Sequence, residues 1–136
     1  MTTHLRILRL VGTSLAAAAL GATVLAPVAS YAGDDDELRR TGSCSAGTTW
    51  KLKAKTDDGR LEVEGEVDSN RNGQTWRWVL RHNGSVSARG TGVTAGRSGS
   101  FDVERKVADV AGTDRFVFRA VNRASGEVCR GTLTWK

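Results

Sequence analysis

The sequence predicts an all-β domain of seven antiparallel strands, a sandwich or a barrel, and three observations lead there. From Thr48 to the C-terminus, apolar and polar residues alternate with period two. Turn signals such as Asp58-Gly59, Asn83-Gly84 and Gly126 recur about every 10–15 residues. Beyond residue 32, no stretch carries the apolar spacing of an amphipathic helix.

The chain opens on Arg6 and Arg9, followed by an apolar, alanine-rich run from Leu10 to Val28. Ser30-Tyr31-Ala32 then places small residues at the −3 and −1 positions of a signal peptidase site. Asp34-Asp35-Asp36-Glu37 follows at once, so residues 1–32 read as a cleavable export signal, cut near Ala32, rather than a membrane anchor. Residues 33–43 are expected to be a flexible polar segment, and 44–136 the single folded domain. The mature chain is expected to be secreted and to hold no transmembrane segment.

The first hairpin can be placed residue by residue. Thr48–Thr56 alternates Trp50, Leu52 and Ala54 with Lys51, Lys53 and Lys55, and Arg60–Asp68 alternates Leu61, Val63, Gly65 and Val67 with Glu62, Glu64 and Glu66. An Asp58-Gly59 type I′ turn sets Lys55 opposite Glu62, Lys53 opposite Glu64 and Lys51 opposite Glu66. A slip by one residue would turn the lysines into the core. Each charged pair contributes only a few tenths of a kcal/mol, so the ladder mainly specifies register.

Gln74–His82 carries Trp76, Trp78 and Leu80 on one face and Arg77, Val79 and Arg81 on the other. Asn83-Gly84 turns it into Ser85–Val93, in a register that sets Trp78 against Arg89. The excess of Arg over Lys, with abundant Ala and Gly, fits a GC-rich bacterial genome, and in a bacterial protein Asn83-Gly84-Ser85, formally a glycosylation sequon, is simply a turn. Ser100–Val107 places Phe101, Val103 and Val107 on one face, and Asp114–Asn122 with Glu127–Trp135 forms the last hairpin through Ala124-Ser125-Gly126.

Removing residues 1–32 takes Arg6 and Arg9 from the 20 basic residues and none from the 15 acids, leaving a net charge of about +3. That is mildly basic, short of the excess of a dedicated nucleic-acid binder, and no specific nucleic-acid partner is expected. Cys44 and Cys129 are the two cysteines, and export predicts one disulfide between them. It closes a loop of about 85 residues, worth roughly 4 kcal/mol in chain-entropy terms. With His82 the one histidine of the mature chain, and no Gly-x-Ser-x-Gly motif, neither zinc chemistry nor catalysis is expected, and no cofactor. Asp57, Asp58, Asp109 and Asp114 are hard oxygen ligands, but turn chemistry accounts for them better than calcium does.

In strand count and in its last hairpin the chain resembles the immunoglobulin-like superfamily. The residues that carry the likeness are Phe116-x-Phe118-x-Ala120-x-Asn122, the turn at Gly126, Leu133-x-Trp135, and Trp76 or Trp78 at the core-tryptophan position of the third strand. The resemblance implies an immunoglobulin-like β-sandwich and no function. Phe118 stands where many members have a cysteine, and Phe116 replaces the corner tyrosine.

Reversing strands send alternate connections to opposite ends. One end collects Asp57, Asp58, Asp109 and Asp114; the other presents Arg71, Arg97 and Arg123 from three separate loops. These arginines are the candidate ligand-binding residues of a non-catalytic module, since guanidinium groups on Gly/Ser/Asn-rich loops hold phosphate, sulfate or carboxylate bidentately. The expected partner is an anionic cell-envelope polymer. An extracellular protease or glycosidase is the second, inhibited through Arg97 or Arg123, and a glycan stacked on Trp76 and Trp78 is the third. The acidic segment from Asp34 is expected at the arginine end, and oligomeric state is not legible.

Overall fold

The computed structural model describes residues 36–136, and the expected export signal, its expected cleavage site near Ala32 and Asp34-Asp35 lie outside the described residues. Eight strands form: β1 (Glu37–Ser43), β2 (Thr49–Asp57), β3 (Arg60–Asp68), β4 (Thr75–His82), β5 (Ser85–Val93), β6 (Ser100–Ala108), β7 (Asp114–Asn122) and β8 (Val128–Trp135). They make two antiparallel four-stranded sheets, β1-β2-β3-β6 and β5-β4-β7-β8, packed face to face as a sandwich.

The eighth strand corrects the expected count of seven. Glu37–Ser43, expected to be flexible, pairs along its whole length with β2, from Glu37↔Lys55 to Ser43↔Thr49. Its one large apolar side chain, Leu38, packs against the core. Gly42 lies so close to Trp50 that an added Cβ would sit 2.7 Å from the indole. Backbone pairing at a sheet edge thus orders a segment whose side chains hardly announce it. A second expectation changes with it. β1 carries the chain down the length of the sheet, so the Asp36 carbonyl accepts from Thr56 N–H (3.2 Å) near the Asp58-Gly59 turn, the end opposite the arginine loops.

The first hairpin has the expected register. Lys51 pairs with Glu66, Lys53 with Glu64 and Lys55 with Glu62, at N···O distances of 3.0, 2.9 and 3.1 Å. Asp58 and Gly59 take φ of 49° and 73°, the positive pair a type I′ turn requires.

Asn83 and Gly84 turn β4 into β5 in the same way, at φ 48° and 85°. The pairing then shifts between Leu80 and Arg81, so Trp78 lies opposite Gly90 rather than Arg89. Packing explains the bulge. It turns Ala88, Gly90 and Gly92 inward, where a Cβ on Gly90 would stand 2.9 Å from Trp78 and one on Gly92 2.3 Å from Phe101. It also turns Arg89 outward, beside Val79.

The core lies between the sheets. Trp76, Leu80, Phe116, Phe118 and Leu133 from one meet Leu52, Leu61, Val63 and Val67 from the other, all buried. Gly65 of β3 makes room for Phe118, whose ring would lie 2.7 Å from an added Cβ. Gly65→Ala is therefore expected to destabilise by roughly 1–3 kcal/mol through overpacking, read as a lower urea midpoint at unchanged slope.

Cys44, just beyond β1, is bonded to Cys129 of β8 as expected, with Cα atoms 4.3 Å apart and a sequence separation of 85. Beside the bridge, Ser45 N–H donates to Val128 C=O (3.0 Å) and Val128 N–H to Ser45 Oγ (2.9 Å). The bridge therefore ties one sheet to the other at the arginine-loop end.

Candidate functional site

Arg71, Arg97 and Arg123 are exposed on three separate loops at one end of the sandwich. The Arg71 loop locks onto the turn that carries Arg97. Ser69 N–H donates to Gly99 C=O (3.0 Å), Gly73 N–H to Thr94 C=O (2.7 Å) and Thr94 Oγ1 to Arg71 C=O (2.5 Å). Arg71 shares a depression of about 290 Å³ with Thr48, Gln74 and Glu127. Glu127 is buried and accepts from Ala46 N–H (2.8 Å), Thr48 N–H (3.0 Å) and Thr48 Oγ1 (2.7 Å). Burial pushes its carboxyl up, but the Thr48 hydroxyl, the two amides and the Arg71 charge together hold it below its ordinary value. A fixed anion thus stands beside Arg71 and weakens that loop as an anion site.

The sign of the pH dependence follows. A carboxyl with a depressed folded pKa contributes stability above its unfolded value, about 4.3, and that stability is lost as pH falls through the folded value. Glu127→Gln is expected to be less stable than wild type at pH 7, with the difference closing below about pH 4. Thermal unfolding at both pH values measures it.

Neither loop tip is an extended strap. Ala95 and Ser100 exchange backbone hydrogen bonds around Arg97 (2.9 and 3.1 Å). Arg123 N–H donates to Thr75 C=O (2.9 Å), and Asn122 Oδ1 accepts from Ala124 and Ser125 N–H.

The tryptophans form no outward platform. Trp76 is fully buried and Trp78 is 5% exposed, with the Arg105 guanidinium 5.6 Å from the Trp78 ring centre. At the other end Asp114 is not a loop residue. It heads β7, fully buried, and its Oδ1 is bonded to Nε2 of His82, whose ring stacks on Phe116 at 4.7 Å. Asp57 is paired with Lys106 (2.6 Å).

The largest uncompensated charge lies on the outer face of the β5-β4-β7-β8 sheet. Side chains alternate across a strand, so with Trp76, Trp78, Phe116, Phe118, Cys129 and Leu133 inside, their neighbours face outward. Those neighbours are Arg77 and Arg81 on β4, Arg89 on β5, Arg115 and Arg119 on β7, and Arg130 on β8, all exposed. Arg123 prolongs the β7 row beyond the strand and flanks a groove of about 360 Å³ with Arg77 and Val121. A second groove, of about 230 Å³, has Val79 and Val117 beneath Arg81, Arg115, Arg119 and Arg130.

No Asp or Glu faces outward from these four strands, and none of the seven arginines makes an ion pair among the described residues. The first sheet is the opposite case, since its lysines are matched by glutamates. A modest net charge therefore conceals one neutralised face and one strongly positive one. Exposed cations held this close repel each other, and that repulsion is relieved when an anion binds.

Comparison of the chain with protein-family models, with curated proteins and with solved structures finds no match.

Proposed function

We propose that the protein is an exported, non-catalytic module that binds anionic polymer of the cell envelope through the outer face of the β5-β4-β7-β8 sheet. The observation that carries this reading is the set of seven exposed arginines, Arg77, Arg81, Arg89, Arg115, Arg119, Arg123 and Arg130, with no acid among them. Guanidinium is weakly hydrated and presents a planar fork suited to phosphate, sulfate and carboxylate. The Cys44–Cys129 bridge fits an oxidising compartment, and no helix among the described residues is long and apolar enough to cross a membrane.

The scaffold reads as immunoglobulin-like. β3 pairs with β6 and β4 with β7, which is Greek-key order, and the buried tryptophans lie on the strand where that fold keeps its core tryptophan. Arg123 is counted with this face because it lines one groove with Arg77 and Val121.

Retention on phosphocellulose over a salt gradient tests the reading, using two variants that lose the same charge. Arg77→Ser/Arg119→Ser is expected to elute well before wild type, and Arg71→Ser/Arg97→Ser only slightly before it. Equal shifts would mean that net charge alone drives retention and that the face is not a site.

A further inference from the structure

We propose that Arg115, Arg81, Arg119, Arg77 and Arg123, in that order, form a track along β4 and β7 for a linear phosphodiester polymer with short aliphatic spacers. The track rests on the face being the polyanion site proposed above, and adds the ligand's class, direction and repeat.

Pairing of the two central strands produces the order. Arg81 lies opposite Val117, Val79 opposite Arg119 and Arg77 opposite Val121. At the two ends, Arg115 N–H donates to Asn83 Oδ1 (2.8 Å) and Arg123 N–H to Thr75 C=O (2.9 Å). Each successive row of the ladder therefore holds one arginine, on alternating strands. The rows are about 6.6 Å apart along the strands, and the two strands about 4.8 Å apart. Arg89 and Arg130 flank the middle row, on either side of Val79 and Arg119.

The spacing selects the polymer. A phosphodiester chain with three-carbon spacers has six backbone atoms per repeat, as do two residues of a strand. Its extended repeat is therefore also close to 7 Å, one phosphate per row. Between the arginines the track presents the half-buried Val117, Val79 and Val121. Methylene spacers can lie on those methyl groups, whereas sugar hydroxyls there would lose water without gaining a partner. No aromatic ring faces outward from the four strands, so nucleobases have nothing to stack on. The sheet twists, and a flexible chain follows the twist where a rigid duplex does not.

The test uses synthetic 1,3-propanediol phosphodiester oligomers of two to ten phosphates, titrated by fluorescence anisotropy at several salt concentrations. Affinity is expected to rise steeply with each phosphate up to five and only slowly beyond. For the longer oligomers log K against log salt should have a slope of about −3.5, five contacts at the single-strand coefficient. Arg77→Ser/Arg119→Ser should lower that slope towards about −2, whereas Arg89→Ser/Arg130→Ser, which loses equal charge, should leave it near the wild-type value.

A steep rise that continues past five phosphates, or equal losses from the two variants, overturns the track and leaves the face standing as a polyanion site. So does failure to bind any oligomer by protein that phosphocellulose still retains. Protein held by neither loses both the track and the site.

Discussion

Replacing Arg77, Arg81, Arg115, Arg119 and Arg123 together by serine is expected to lower affinity for a ten-phosphate propanediol oligomer several thousand-fold at low salt. Basic side chains at an anionic surface contribute about 1 kcal/mol each, and five such contributions correspond to between three and four powers of ten. The loss should shrink as salt rises, because the released counterions are what drive binding. Stability should not fall with it. All five side chains are exposed and none is engaged in an ion pair among the described residues, so relief of mutual repulsion should leave the melting temperature unchanged or slightly raised. Calorimetric titration beside thermal unfolding reads both. A loss of only two- to three-fold would place binding elsewhere.

Removing the disulfide is expected to have the largest effect on stability. In Cys44→Ala/Cys129→Ala the unfolded chain regains the freedom of an 85-residue loop, a loss to the native state of about 4 kcal/mol. Domains of this size are stable by only about 5–15 kcal/mol in all, and the melting temperature should fall by roughly 15–30 °C. The damage should be uneven. β1 is an edge strand whose core contact is Leu38 and whose last residue, Ser43, adjoins Cys44. Its amides should lose hydrogen-exchange protection before those of β3, β4 and β7, which lie within the sheets. A drop under 5 °C would mean that the Cys44–Cys129 bridge adds little to a sandwich held by its core.

Local signals in the sequence carried most of the fold. Asp58-Gly59 and Asn83-Gly84 impose their turns through positive φ, and the Lys51–Lys55 and Glu62–Glu66 alternation leaves one register that keeps charge out of the core. Glu37–Ser43 was illegible because an edge strand ordered by its backbone needs little apolar pattern, and Leu38 alone is a weak one. The β5 bulge was hidden for another reason. It answers to the rings of Trp78 on β4 and Phe101 on β6, and Phe101 lies outside the hairpin, where the local alternation cannot show it.

The arginine face was half legible. The alternation in β4 already set Arg77 and Arg81 on the face opposite Trp76 and Trp78, and in β7 and β8 it sets Arg115, Arg119 and Arg130 opposite Phe116, Phe118 and Leu133, whereas Arg89 reaches that face only through the β5 bulge. The sequence does not say that these strands share a sheet, because the β4–β7 pairing joins residues about 40 apart in the chain. Net charge averages that face with the neutralised one, which is why composition alone looked bland. Arg71, Arg97 and Arg123 stand out in the sequence because loops reverse the chain visibly, and Arg123 lines one groove with Arg77 of the larger array.

The most direct measurement is a ¹H–¹⁵N NMR titration of the oxidised protein, residues 33–136, with a five-phosphate propanediol oligomer, following backbone amides and arginine Nε–H groups together. Binding at the second sheet requires shifts concentrated in residues 75–82 and 115–123, with the Nε–H signals of Arg77, Arg81 and Arg119 moving furthest. Shifts confined to the loops around Arg71 and Arg97, or no shifts at all at low salt, would contradict it.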